Sequence, residues 1–183
     1  MSSDELITAI AEDGSLYPIE KLDAHVRNIR HLAISVFIVS EGRLLLQQRA
    51  AGKYHSGLLW ANTCCSHPRW EETVEECAPR RLQEELGWTL PLTRFGEIRY
   101  SADVGGGLFE NEIAHCFFAH APADMPLDRY DPEEVADLEW VDFAEIDRRL
   151  DEEPGRFSPW FRIYMARHRR MIDEMAAAPA SFA

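Results

Sequence analysis

The chain of 183 residues lacks any apolar run approaching the ~18 residues of a membrane span. Its first residues, MSSDELITAIAEDG, carry neither a basic start nor an apolar core, so no secretory signal is expected. Cysteine is scarce: Cys64, Cys65, Cys77 and Cys116 are all there are. Neighbours such as Cys64 and Cys65 rarely bridge each other, because disulfide geometry disfavours it. Reduced thiols in the cytoplasm are the expectation. Basic residues are few, 19 against 32 acidic, for a formal net charge of −13. So strong an acidic excess makes the chain a poor candidate for nucleic acid or an anionic membrane. A phosphorylated small molecule remains compatible, provided the site gathers its own cations or metal ions. No internal repeat or low-complexity block precedes the tail AAAPASFA.

The apolar and charged fractions, 46% and 28%, are those of an ordinary globular domain. A core can therefore form without disulfides or a structural metal. ITAIAEDGSLYPIEK reads as strand, Asp-Gly turn and strand. Ala33–Val39 and Arg43–Gln48 read as a hairpin around Ser-Glu-Gly. The first arm is nearly all apolar, so a central strand covered on both faces is expected. Glu71 to Leu86 reads as a helix with a Thr73/Glu76 capping box, stopped by Gly87. Pro79 should kink it or end its first part. TRFGEIRYSA and ENEIAHCFFAHA read as strands around Gly105-Gly106-Gly107, and DPEEVADLEWVDFAEIDRRL as short helix, strand and helix. The last helix opens with Ser158 as N-cap and Pro159 at its first position. It should bury Phe161, Tyr164, Met165 and His168 on one face.

Two segments carry reactive chemistry. WANTCCSHPRW sets two thiols ahead of His67, which leaves open a metal site, a redox pair, a nucleophile or a plain turn. RRLQEELG ends on adjacent carboxylates, Glu84 and Glu85, and by itself reads equally as a solvated helix face laced with Arg–Glu pairs. Adjacent side chains of an extended segment point to opposite sides, so Cys64 or Cys65, not both, can face a ligand. Alternation puts Glu110 and Glu112 of ENE on one face. Two carboxylates aimed together need a cation or a proton between them.

RRLQEELG resembles the helix of the Nudix box, which runs glycine, glutamate, then Arg-Glu-apolar-x-Glu-Glu-x-Gly. Counted back from Arg80, the glutamate is Glu72, but Ser66 replaces the glycine and Arg81 replaces the glutamate of the Arg-Glu pair. With a carboxylate exchanged for a cation, the helix is less suited to diphosphate hydrolysis. NTCCSHP, RRLQEELG, ENE and FSPW together resemble type I isopentenyl-diphosphate isomerase, a Nudix-fold family, from about Lys21 to about Trp160.

The resemblance implies an α/β fold, a Nudix-like α/β/α sandwich with a mixed central sheet and an added C-terminal helix. It would be one domain over 1–183, with 1–20 a strand-turn extension and 176–183 a frayed tail. It implies interconversion of isopentenyl and dimethylallyl diphosphate, in isoprenoid precursor biosynthesis. Cys65 and Glu112 would move the protons, Tyr100 assisting Glu112 and Trp160 offering an aromatic face to developing positive charge. Either of the pair can be acid or base; metal-bound Glu112 beside Tyr100 is expected to be the better donor. Cys64 is expected to pack as a small apolar residue.

The resemblance also implies that His25, His31, His67, Glu110 and Glu112 hold one divalent ion, Mn2+ or Mg2+, or adventitious Zn2+. Glu85 would meet a second Mg2+ bound to the diphosphate. Lys21, Arg49, Lys53 and Arg81 would surround that diphosphate. His55, His115, His120 and His168 are left structural. The chain departs from the family pattern in an extra residue in SGLLW, in Ala61 for a small hydroxyl residue, in RWEE for a glycine-bearing turn, and at Pro79. Two rivals remain: a Nudix pyrophosphohydrolase acting on a nucleoside diphosphate derivative, and a module with structural zinc at Cys64, Cys65 and His67. The zinc module lacks a second Cys-x-x-Cys-like pair to close a tetrahedron.

Overall fold

The computed structural model describes residues 5–179. The N-terminal stretch gives β1 (Leu6–Ile10) and β2 (Leu16–Glu20), paired antiparallel around the expected turn. A short helix that the sequence pattern does not signal, α1 (Lys21–Val26), follows at once. Asn28 then takes a left-handed φ of 53°, a conformation asparagine tolerates better than most residues. The chain reverses there into β3 (His31–Ser40), which joins β4 (Arg43–Arg49) as the expected hairpin.

Every even residue from Ile34 to Ile38 faces one side of β3, and Ala33, Phe37 and Val39 face the other. Period-two alternation explains how one apolar run serves two cores. On the even side lies α2 (Val74–Leu86), with Val74, Cys77, Ala78, Leu82 and Leu86 packed on Ile34, Val36 and Ile38. On the odd side Phe161 and Tyr164 of α4 (Pro159–Arg167) meet Phe37 and Leu46. The result is an α/β/α sandwich.

Around β3 the sheet is mixed. The two-residue β5 (Trp60–Ala61) pairs with β4, and β6 (Cys64–Ser66) runs antiparallel to β3. The long hairpin of β7 (Thr93–Gly105) and β8 (Leu108–His120) joins by parallel pairing of β8 to β3, from His31↔Glu112 to Val39↔His120. Antiparallel to β4 runs β9 (Val135–Asp142), leading into α3 (Phe143–Glu152).

Three expectations need correction. DPEEV forms turns and not a short helix; the chain is tied there by backbone bonds from Asp131 N to Glu85 O and from Ala50 N to Glu134 O. Pro79 does not end its helix: α2 runs unbroken to a left-handed Gly87 cap at φ 68°. The carbonyl deprived of its partner by Pro79 belongs to the exposed Glu75, where water can satisfy it. Finally, His168 is only half-buried, because α4 ends there and α5 (Arg169–Ala176) begins. Of the expected tail, Ala176 closes α5, and 180–183 lie outside the described residues.

The capping box at the start of α2 is complete. Thr73 Oγ1 accepts from Glu76 N at 3.2 Å, and Glu76 Oε2 accepts from Thr73 N at 2.9 Å. Thr73→Ala should cost about 1 kcal/mol, a fall in Tm of roughly 2–4 °C in a thermal melt.

Candidate active site

Each element around the β3–β8 seam delivers a polar side chain to one cavity. From β6, Cys65, Ser66 and His67 line it; from the β7–β8 hairpin, Tyr100, Glu110 and Glu112; from α4, Trp160. Lys21, Arg49, Lys53 and Arg81 line the same cavity. Arg49 is turned inward by an irregularity in β4 between Gln48 and Arg49, as bulges commonly re-aim a side chain. Trp160 is set by Ser158 N, which donates to Trp60 O at 2.9 Å, and by the Ser158 cap on Phe161 N.

The two adjacent thiols separate as strand alternation requires. Cys64 is fully buried under α2, whereas Cys65 packs with the opposite core and faces the cavity. Asn62 donates its amide to Val36 O at 3.1 Å, which fixes the amide and leaves Oδ1 to accept the Cys65 thiol at 3.1 Å. Burial pushes that thiol up to about 12, against the effect of Ser35 Oγ, 3.6 Å from Sγ. Ser35 is held in turn by Tyr164 at 2.9 Å. Cys65 therefore rests as a thiol.

Across the cavity, the Tyr100 hydroxyl lies 2.8 Å from Glu110 Oε2 and 2.6 Å from Glu112 Oε2. One hydroxyl has one proton to donate, so both contacts are satisfied only when a carboxyl supplies another. Burial, reinforced by the neighbouring Glu112 charge, raises Glu110 well above the usual carboxylate range. Burial acts upward on Glu112 too, but the His31 ring, 3.5 Å away, and the hydrogen bond from His67 Nε2 at 2.9 Å overcome it and hold Glu112 well below that range. Their surroundings therefore favour the protonated form of Glu110 and the ionised form of Glu112.

His25, His31, His67 and Glu112 form a buried group of metal-competent donors, within 4.8 Å of one another. His25 Nδ1 donates to Lys21 O at 2.6 Å, and His31 Nδ1 donates to Ile29 O at 2.8 Å. Those carbonyls can only accept, so both Nδ1 carry hydrogen, which leaves each Nε2 as the ring atom that can offer a lone pair to a metal. His31 Nε2 is buried without a hydrogen-bond partner. Burial lowers His25 to about 4, helped by His31, and depresses His67 well below its ordinary value. Imidazole nitrogens beside a carboxylate are the donor set a divalent ion requires. Glu110 groups instead with His25 and His55.

Glu85 stands apart. It is not on the cavity wall, and its carboxylate accepts from Gln47 Nε2 at 2.8 Å and from Arg81 at 2.7 Å. Each oxygen thus carries one donor and keeps a further lone pair.

Sequence reasoning left His55 structural, but the structure brings it into the site. Its Nε2 lies buried 3.5 Å from Glu110 Oε1, and its ring stands edge-on to Trp160 at 5.9 Å. Burial depresses it to about 2, followed by the Arg49 charge. Tyr54, on the same loop, reaches His25 Nε2 at 3.3 Å. Tyr164 had a legible signal, four residues beyond Trp160 on one helix face. Ser35 and Tyr54 had none, whereas Asn62 opens the NTCCSHP motif. His115, His120 and His168 are absent from the cavity wall.

Residues 29–161 match the NUDIX domain family. An isopentenyl-diphosphate Delta-isomerase of Cereibacter sphaeroides is 52% identical over 169 residues, 92% of this chain and 94% of that protein. One from Jannaschia sp. is 48% identical over 166 residues, 90% and 93% of the two chains. Among solved structures, a Deinococcus radiodurans protein shares the fold at TM-score 0.70 and 15% identity, over 89% of this chain and 98% of that one. A MutT NUDIX hydrolase from Burkholderia pseudomallei does so at TM-score 0.56 and 25% identity, over 75% and 96%. Their shared sandwich, the isomerase identities and the chain's own Cys65–Glu112 cavity converge: the chain belongs to the Nudix superfamily and, within it, to the isopentenyl-diphosphate Delta-isomerases.

Proposed function

We propose that the chain interconverts isopentenyl diphosphate and dimethylallyl diphosphate, adding a proton at one carbon and removing one from another. The observation that carries this reading is the opposition in one cavity of the Cys65 thiol and the Glu110–Tyr100–Glu112 unit, with four cations alongside. The chemistry is redox-neutral and needs one proton donor and one acceptor. The hydrogen bonds support Cys65 as the resting donor and Glu112 as the resting acceptor, the reverse of the order expected from the sequence. In the opposite direction the roles exchange. Glu110 and Tyr100 hold a further proton next to Glu112.

Protonating the alkene builds positive charge on a tertiary carbon. Trp160 already accommodates a cation, with the Arg49 guanidinium 5.2 Å from its ring centre, so an aromatic face is available to such charge. Lys21, Arg49, Lys53 and Arg81 would hold the diphosphate, which answers the acidity of the whole chain. His25, His31, His67 and Glu112 would hold a divalent ion, Mn2+, Mg2+ or Zn2+ by donor type. When bound, that ion supplies positive charge beside Glu112. No step is assigned to an ion at Glu85. Four unpaired thiols favour a reducing compartment such as the cytoplasm, and among the described residues no helix is long and apolar enough to cross a membrane.

The hydrolase reading fits less well. Arg81, where a hydrolase carries glutamate, ties up Glu84 and Glu85 by ion pairs at 2.6 Å and 2.7 Å. Incubation with isopentenyl diphosphate and Mg2+ should form dimethylallyl diphosphate. Phosphate release from nucleoside diphosphate derivatives, with no isomer formed, would reverse the assignment.

Cys65→Ala and Glu112→Gln should each cut turnover by at least about 100-fold, the usual worth of a general acid or base, while inorganic pyrophosphate still binds. Near-normal turnover in either variant would sink the scheme. His31→Ala should lower bound divalent metal by about tenfold or more in elemental analysis, with the fold retained by circular dichroism. An undiminished metal content would remove His31 from the donor set.

A further inference from the structure

Lys53 and Arg81 come from separate elements, the loop after β4 and the middle of α2, yet one carboxylate touches both. Glu134 forms an ion pair with Lys53 and lies 3.3 Å from Arg81 Nη2. The Lys53 and Glu134 side chains are only 9% and 18% exposed and that of Arg81 is 15% exposed, so the charges depend on each other rather than on water. The backbone of the turn is anchored independently. Glu134 N donates to Asp131 O, Asp131 N to Glu85 O, and Ala50 N to Glu134 O. The turn thus bridges the end of α2 and the Lys53 loop whatever the Glu134 side chain does.

A carboxylate between two substrate-binding cations either blocks them or arranges them. The donor inventory decides. Arg81 spends Nη1 on Glu84 and Nη2 on Glu85 and Glu134, but its buried Nε has no partner. Lys53 has three N–H donors, and Glu134 is its one ion-pair partner among the described residues. Donors therefore remain for an anion. Without Glu134, two like charges would face each other across the cavity wall and separate.

We propose that Glu134 is a positioning residue that clamps Lys53 and Arg81 side by side so that both present N–H donors to the substrate's diphosphate. This rests on the reading above that these two cations bind the diphosphate. The test uses the full chain with its divalent metal, measuring kcat and KM for isopentenyl diphosphate and inhibition by inorganic pyrophosphate. In Glu134→Ala, KM and the pyrophosphate inhibition constant should both rise about tenfold, the scale of one charge-assisted interaction. Glu134→Gln should give a smaller rise, and kcat should stay within about twofold in both. An unchanged KM and inhibition constant would overturn the proposal. So would a fall in both, the mark of a competing carboxylate, or a loss confined to kcat. Lys53→Ala and Arg81→Ala separate the two levels. If neither alters pyrophosphate inhibition, the diphosphate reading itself fails. If both weaken it while the Glu134 variants do not, only the positioning role fails.

Discussion

The site depends on the parallel pairing of β3 with β8, in the register that sets His31 opposite Glu112. Side chains alternate across a strand, so a slip of one residue would turn Glu110 and Glu112 away from the cavity and bring Asn111 in. That register is held by its own burial. Ile34, Val36 and Ile38 must face α2, and Phe37 must face α4. The apolar pattern that builds two cores therefore also aims the carboxylates. Antiparallel β6 on the same strand, with Cys65 opposite Ser35 and Ser66 opposite Ile34, carries the thiol and His67 into the same register.

Electrostatics follow from this enclosure. A chain of net charge −13 places four basic residues on one cavity wall and surrounds them with carboxylates. Arg81 alone pairs with Glu84, Glu85 and Glu134. The same burial disfavours charge on His25, His55 and His67 and favours the protonated forms of Cys65 and Glu110. Only Glu112 is driven the other way, because two histidines contact it directly. Groups with unlike proton affinities thus face one another across a small space, as proton transfer in two places requires.

The sequence disclosed what depends on local period. Alternation separated Cys64 from Cys65 and aligned Glu110 with Glu112, and the cap signals at Thr73, Gly87 and Ser158 marked helix ends within a few residues. It was silent where irregular backbone does the aiming. His55 and Tyr54 lie on a loop with no period. Glu134 sits in a single closed turn that reads as a short helix by composition: Glu134 N and Val135 N both bond Asp131 O, and β9 then takes the chain over. Pro79 did not end its helix for a related reason. Its cost in a helix falls when the freed carbonyl faces water, and exposure at Glu75 is a property of the folded protein.

Arg81 shows how one fold can carry isomerisation where its relatives carry hydrolysis. Hydrolytic use of the helix needs its carboxylates free to gather metal ions against a diphosphate and to prepare water. A guanidinium at this position satisfies Glu84 and Glu85 within the protein and adds positive charge to the cavity wall. On the function proposed above, the diphosphate would be a handle gripped at one end, with the reactive carbons among Cys65, Tyr100 and Trp160. Tyr100 and Trp160 are buried and Cys65 is half-buried, and burial matters for an alkene that gains cationic character, because water in reach would capture it. Exchanging a carboxylate for a cation thus turns the helix from an agent of phosphorus chemistry into an anchor for carbon chemistry.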